Sequence, residues 1–151
     1  MEVIELSQRL DLIEKVVQYF WKCWGNESNF SFYNDCIQNS INPENDLPKF
    51  YIVLENQEII ASYTLLINDI ISRQDLMPWF ACLYVNKSHR NQGIAEQLLN
   101  HALEEAKTKG FSTVYLSSDL ENFYERKGWE MFGEGFNIFG DSFPIFRKST
   151  I

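Results

Sequence analysis

Leu83-Tyr84-Val85-Asn86-Lys87-Ser88-His89-Arg90-Asn91-Gln92-Gly93-Ile94-Ala95-Glu96-Gln97-Leu98-Leu99 runs from an apolar strand, through a short basic turn, into a periodic helix. The strand spans Trp79 to Val85 and is apolar at every position, as a central strand covered on both faces should be. The helix carries Ile94, Ala95, Leu98, Leu99, Ala102, Leu103 and Ala106 on one stripe and stops at Lys109-Gly110. Gly93 stands at its entrance, where the first backbone N–H groups lack partners within the helix. With no Cβ at that position, an anion can approach the backbone closely. The helix dipole and Arg90 favour negative charge there, so the turn reads as a site for a phosphate or pyrophosphate.

Outward from this unit, the remaining elements fall into order. Val3 to Leu6 form a short first strand. Ser7 is expected to cap a helix bearing Leu10, Ile13, Val16, Val17, Phe20 and Trp24, which ends at Gly25. A second helix covers Phe30 to Ser40, with Phe32, Tyr33, Cys36 and Ile37 inward. Asn42-Pro43 and Leu47-Pro48 mark an irregular connection. Phe50–Leu54 and Ile59–Ile67 form a hairpin around Glu55-Asn56-Gln57-Glu58. The loop from Asn68 to Pro78 leads into the Trp79–Val85 strand. Thr113–Leu116 is the next strand, then a short helix through Phe123, Tyr124 and Lys127 closed by Gly128. Trp129–Phe132 is a strand, and Phe136 to Arg147 add a further strand and hairpin. This order, β-α-α-β-β-β-α-β-α-β-β, implies an α/β fold with one mixed sheet and helices on both faces.

The chain has 151 residues, which suits a single domain over 1–151. No apolar run approaches the roughly 20 residues needed to span a bilayer, and the start is acidic, so neither a membrane span nor a signal peptide is expected. Cys23, Cys36 and Cys82 are an odd, widely spaced set with no C-x-x-C, and the two histidines complete no zinc pattern. Reduced thiols, no metal and a cytoplasmic location follow as expectations. The net charge of −8 argues against nucleic acid as a partner. Its distribution is uneven. Residues 1–75 hold twelve acids and five bases, whereas residues 76–151 hold nine and eight, with Lys87, His89 and Arg90 gathered at the turn.

Arg90-Asn91-Gln92-Gly93-Ile94-Ala95 resembles the first signature of the GNAT superfamily of acyl-CoA-dependent N-acetyltransferases, Arg or Gln, two residues, Gly, one residue, then Gly or Ala. About thirty residues on, Phe123-Tyr124-Glu125-Arg126-Lys127-Gly128-Trp129 is similar to its second, Tyr-Glu-x-x-Gly-Phe/Trp. The resemblance covers nearly the whole chain. It implies a mostly antiparallel mixed sheet flanked by helices and splayed between the fourth and fifth strands, with acetyl-CoA as cosubstrate. The pantothenate arm would lie in that gap, bonded to backbone groups across Leu83, Tyr84 and Val85. The pyrophosphate would sit on the N–H groups from Arg90 through Asn91, Gln92, Gly93, Ile94 and Ala95. Asn122 would bond the cofactor arm. Tyr124 matches the family tyrosine that protonates the leaving thiolate, and a phenol with a pKa of about 10 suits a thiol of about 8.5. Lys87 and His89 either reach the phosphates or are solvated loop residues.

Many members of the family carry a glutamate on the strand matching Trp79–Val85, and this chain has no acid there. Asp75, Asp119 or a water chain would then accept the proton of the amine; Asp119 is equally read as the N-cap of the next helix. Trp21, Trp24, Tyr33, Trp79, Phe136 and Phe139, beside the acids, either form core or offer cation–π faces to a small cationic amine. Phe143, Ile145 and Phe146 would be available to pair across a homodimer. The expected activity is acetyl transfer from acetyl-CoA to a primary amine by direct attack in a ternary complex, with a backbone N–H of the Trp79–Val85 strand as oxyanion donor. The alternative is a non-catalytic acyl-CoA-binding or sensor module. A Rossmann or P-loop nucleotide protein is excluded, since neither G-x-G-x-x-G nor the P-loop lysine motif is present.

Overall fold

A computed structural model describes residues 1–42 and 46–151, so Pro43 of the expected irregular connection lies outside the described residues. The elements are β1 (Val3–Glu5), α1 (Ile13–Trp24), α2 (Phe30–Gln38), β2 (Lys49–Glu55), β3 (Glu58–Leu66), β4 (Trp79–Val85), α3 (Ile94–Thr108), β5 (Thr113–Ser117), β6 (Glu130–Phe136) and β7 (Ser142–Ser149). The seven strands lie in the order β1-β2-β3-β4-β5-β7-β6. β1 with β2, β5 with β7 and β6 with β7 pair antiparallel. β4 and β5 pair in parallel, in register at Trp79 and Tyr115. The mixed, mostly antiparallel sheet with flanking helices agrees with the expected fold class. Among the described residues no helix is long and apolar enough to cross a membrane.

The chain forms two compact units, one of Met1–Thr64 with Cys82–Leu98, the other of Leu65–Ala81 with Leu99–Ile151. In the first, Val16, Val17 and Phe20 of α1 and Ile37 of α2 bury against Phe50, Ile52 and Ile59. In the second, Trp79, Ile71 and Ile145 form a core with Tyr115 and Phe132 packed against it. The α3 stripe is buried as its periodicity requires, and the helix ends in a Schellman turn. There Gly110 sits at φ 90°, Gly110 N–H donates to Lys107 O at 3.0 Å, and Phe111 N–H donates to Ala106 O at 2.9 Å.

Several local expectations are corrected. Ser7 caps no helix; its hydroxyl bonds the Glu5 carboxylate, and two 3-10 turns precede α1. Leu10 and Trp24 are largely exposed rather than inward. Only Ile37 of the expected inner face of α2 is buried, because the helix packs through a single turn and leaves Phe32 and Cys36 exposed. The helix expected through Tyr124 is one 3-10 turn, Glu125–Lys127. Left-handed residues bound it on both sides, Asn122 at φ 62° and Gly128 at φ 85°, and the space between them admits no second turn. Asp119 therefore caps nothing. β6 extends to Phe136, past two glycines. A Cβ at Gly135 would lie 2.7 Å from Ile71 Cδ1, so the close approach of that loop side chain accounts for this glycine. Ile145 and Phe146 are buried within the second unit, which removes them as surface for a dimer.

The exit from β4 is built around Asn86. Its N–H donates to Ile60 O at 2.8 Å and its Nδ2 to Ile59 O at 3.1 Å. Its Oδ1 accepts from the Tyr19 hydroxyl at 2.7 Å, and its carbonyl accepts from His89 N–H at 2.8 Å. Burial pushes the Tyr19 phenol pKa up, so it stays a donor. Asn86→Ala leaves the Tyr19 hydroxyl and the Ile59 carbonyl without this partner and should cost about 2–4 kcal/mol in urea unfolding. Asn86→Asp retains the acceptor but loses the donor and should fall between wild type and alanine. A loss below about 0.5 kcal/mol for Asn86→Ala would show that water replaces the side chain at no cost.

Candidate functional site

Past Asn86 the backbone makes a 3-10 turn over Lys87–His89 and then turns left-handed twice, at Asn91 (φ 63°) and Gly93 (φ 80°), before α3 begins at Ile94. A Cβ built on Gly93 meets nothing within 4 Å. The glycine is therefore required by its backbone angle, and the space above it is open. Gln97 N–H donates to Gly93 O at 3.1 Å in the first turn of α3. The N–H groups of Ile94 and Ala95 precede that bond, at the positions where a helix supplies no i−4 acceptor of its own. Ile94 is 7% exposed, its side chain being part of the buried stripe of α3. Asn91, Gln92 and Gly93 are exposed and Ala95 is half-buried.

The basic residues of the turn divide by role. Arg90 Nε donates to Val85 O at 2.8 Å, and its guanidinium lies 5.4 Å from the centre of the Tyr84 ring. It thus braces the strand end with one face, while its remaining donors stay exposed. His89 is engaged with Glu55, Nε2 to Oε1 at 3.1 Å, and with Ser88 at 2.9 Å. These bonds tie His89 to β2 and to its own turn, a contact neither alternative for it described; Lys87 is exposed.

Leu83, Tyr84 and Val85 are half-buried in the second half of β4. Just before them β4 departs from extended backbone, with Cys82 at φ 55°. A left-handed cysteine inside a strand is strained and re-aims the groups that follow. The buried Ser62 hydroxyl of β3 donates to the Cys82 carbonyl at 3.1 Å. Ser62 did not stand out in the sequence, and Cys82 stood out only as one of three reduced thiols.

In the other unit Tyr124 is 6% exposed, packed against Phe123, Trp129 and Phe146 with ring centres 4.9, 6.3 and 5.7 Å away. Its carbonyl accepts from the N–H groups of Lys127 and Trp129, both at 3.0 Å. Burial pushes its phenol above the ordinary value, and a hydrogen bond with Ser118 offsets part of that. The phenol is therefore protonated throughout the physiological range. Asn122 is exposed.

The two carboxyls expected to accept a proton fare differently from a third that the sequence did not single out. Asp75 is exposed and bound by Arg73 at 2.8 and 2.9 Å, and this pairing holds its carboxyl below the usual range. Asp119 is exposed. Asp69, in the loop before β4, is pushed up to about 7 by burial. No residue pattern in Asn68-Asp69-Ile70 announces this, since the desolvation comes from the folded surroundings. Trp79 belongs to the core, its Nε1 donating to Leu76 O at 2.7 Å, and it is lost as an acceptor-facing aromatic. Among the described residues no group of three or more His, Cys, Asp and Glu is placed to hold a metal ion.

The model of the acetyltransferase (GNAT) family matches residues 13–129. The chain belongs to this family. No curated protein matches it. Solved structures similar to this GNAT acetyltransferase include an aminoglycoside 6'-N-acetyltransferase from Enterococcus faecium, 17% identical, covering 100% of this chain and 98% of that one with a TM-score of 0.76. An aminoglycoside 6'-N-acetyltransferase complexed with coenzyme A is 18% identical over 100% and 98%, with a TM-score of 0.74. An N-acetyltransferase from Staphylococcus aureus Mu50 is 14% identical over 100% of both chains, with a TM-score of 0.69. At these identities the likeness is one of fold.

The raised Asp69 pKa has a consequence for stability. The folded state holds the Asp69 proton up to about pH 7, while the unfolded chain releases it near the ordinary value of 3.8. Between those values the folded state binds more protons, so this group lowers stability as pH rises from about 4 to about 7 and not beyond. Asp69→Asn should stabilise the protein by about 2–4 kcal/mol at pH 8, and by much less at pH 4. A gain that is equal at both pH values would show that the carboxyl is not desolvated.

Proposed function

We propose that this GNAT acetyltransferase moves an acetyl group from acetyl-CoA to the primary amine of a small cationic molecule by direct attack in a ternary complex. The observation that carries the reading is the open turn entering α3. There left-handed Asn91 and Gly93 precede first-turn N–H groups of a fifteen-residue helix, with Arg90 beside them. This is a cradle for the pyrophosphate of coenzyme A, formed by Arg90, Asn91, Gln92, Gly93, Ile94 and Ala95. That a protein of the same fold was solved complexed with coenzyme A supports a CoA thioester as donor.

Leu83, Tyr84 and Val85 offer the backbone groups that a pantothenate arm would pair with, and Asn122 a further donor. The neutral amine attacks the thioester carbonyl, whose oxygen gains negative charge and is stabilised by a backbone N–H of β4. As the C–S bond breaks, Tyr124 donates its proton to the departing sulfur, and the proton that the nitrogen sheds on becoming an amide restores the phenol. Its burial suits this role, because a phenol with a raised pKa is fully protonated at neutral pH. The amine must first lose a proton. Asp69 has the basicity for this, and Asp75 is disfavoured by its pairing with Arg73. The excess of acids in residues 1–75 and the aminoglycoside acetyltransferases among proteins of this fold support a basic acceptor.

The test is free thiol release from acetyl-CoA with a panel of aminoglycosides, polyamines, amino acids and basic peptides. Amine-dependent release is expected with a cationic small molecule, and Tyr124→Phe should lower kcat about 10²–10⁴-fold while leaving coenzyme A affinity unchanged by calorimetry. Binding without release from any amine would turn the reading toward an acyl-CoA sensor, and absence of binding would sink it. In the same assay kcat should fall below about pH 7, as Asp69 becomes protonated. Asp69→Asn should abolish that limb and most of the activity; a limb unchanged in the variant would assign the base elsewhere.

A further inference from the structure

Ser62 lies in β3 and is 0% exposed. A buried hydroxyl needs a partner, and here it donates from Oγ to the carbonyl oxygen of Cys82 at 3.1 Å. That carbonyl belongs to a residue at φ 55°, a backbone angle that L-residues other than Asn, Asp and His rarely adopt. The hydrogen bond therefore holds a strained point of β4, not a regular one. Among the described residues the cis peptide bonds are Leu47-Pro48 and Met77-Pro78, so the Cys82–Leu83 bond is trans. A trans peptide is planar, and its C=O and N–H point in opposite directions. Holding the Cys82 carbonyl toward the Ser62 hydroxyl thus holds the Leu83 N–H away from it.

We propose that Ser62 is a positioning residue for acetyl transfer, fixing through the Cys82–Leu83 peptide plane the direction of the Leu83 N–H that stabilises the reacting thioester oxygen. The inference rests on the acetyl-transfer reading above and adds to it the residue that aims the donor. Rigidity is what the hydroxyl supplies. An oxyanion donor acts by being aimed before charge develops, and a peptide free to rock about a strained φ loses that aim. Ser62 touches no reacting atom in this scheme. Its effect should appear in turnover, because the same N–H can still meet an uncharged carbonyl from a slightly altered angle.

The experiment compares wild type, Ser62→Ala, Ser62→Thr, Cys82→Asn and the double variant Ser62→Ala with Cys82→Asn, using acetyl-CoA and an amine that wild type acetylates. Ser62→Ala should lower kcat about tenfold and leave KM for acetyl-CoA within about threefold. Ser62→Thr, which keeps the hydroxyl, should recover most of the loss. Asparagine tolerates the left-handed region, so adding Ser62→Ala to Cys82→Asn should lower kcat no more than about threefold. If kcat of Ser62→Ala stays within about twofold of wild type, or the loss is as large in the Cys82→Asn background as in the wild-type one, the positioning role is overturned and the hydroxyl serves stability alone. Should Ser62→Ala not fold, Ser62→Cys preserves volume with a weak donor and should shift kcat the same way. A second readout needs no activity. In the protein without ligands, Ser62→Ala should move the amide chemical shift and hydrogen exchange of Leu83 more than those of Ile60 or Leu65. An unmoved Leu83 amide overturns the clamp. If wild type neither binds nor consumes acetyl-CoA, the acetyl-transfer reading fails by itself and the Leu83 amide still decides whether Ser62 aims that peptide.

Discussion

A buried strand that must stop and turn leaves backbone groups without ladder partners, and Asn86 resolves this at the end of β4. Its four polar groups meet Ile59, Ile60, Tyr19 and His89 at 2.7 to 3.1 Å. No apolar residue could join the β3 carbonyls, the α1 hydroxyl and the next turn in this way, and each bond offsets a desolvation cost that one deletion would expose. The turn it launches determines where Arg90, Asn91 and Gly93 begin. Arg90 then returns to Val85, closing a loop of bonds around the strand end. The turn that enters α3 thus starts from a polar junction whose groups are all paired.

What could be read in the chain and what could not separate along a physical line. β4, α3, the β2–β3 hairpin and the order of strands follow from periodicity and turn residues, which are local. The hairpin turn shows this even without glycine, since Asn56 and Gln57 both take positive φ, at 51° and 66°. Gly93 and Gly110 were legible as helix boundaries for the same reason. Ser7 misled because a serine before a helical pattern resembles a cap, yet the nearby Glu5 carboxylate claims its hydroxyl. The α2 stripe misled because periodicity says which residues share a face, not whether anything covers it. Cys82, Ser62 and Asn86 were invisible as a set, since their significance lies in bonds across strands and not in a spacing along one.

Burial acts on Tyr124 and Asp69 in the same direction, and the proposed mechanism uses the two shifts in opposite ways. For Tyr124 it disfavours the phenolate, so the group remains an acid. For Asp69 it disfavours the carboxylate, so a group that would otherwise be a weak base gains affinity for a proton at about pH 7. One cause, desolvation, thus raises both a phenol and a carboxyl. Tyr124 was legible because its neighbours form a recognisable signature. Asp69 was not, because desolvation is contributed by residues that are distant in sequence.

The aromatic side chains that an acceptor could meet are fewer than their abundance suggests. Trp79 is in the core and Tyr51 and Tyr63 stack on each other in the interior, ring centres 4.5 Å apart. Trp21 is edge-on to Phe30 and gives its Nε1–H to Asn26 O, so it serves the end of α1. Tyr33 is packed against the core of the first unit, which leaves Trp24, Phe136 and Phe139, exposed by 43, 44 and 83%. An exposed ring carries a cation–π contact of only about 0.5–1 kcal/mol, a factor of a few in affinity. If the acceptor is the cationic amine proposed above, discrimination has to come from where carboxylates stand relative to its ammonium groups. On the proposed function, charge spacing along the substrate, more than its apolar surface, is then the property that selects the acceptor.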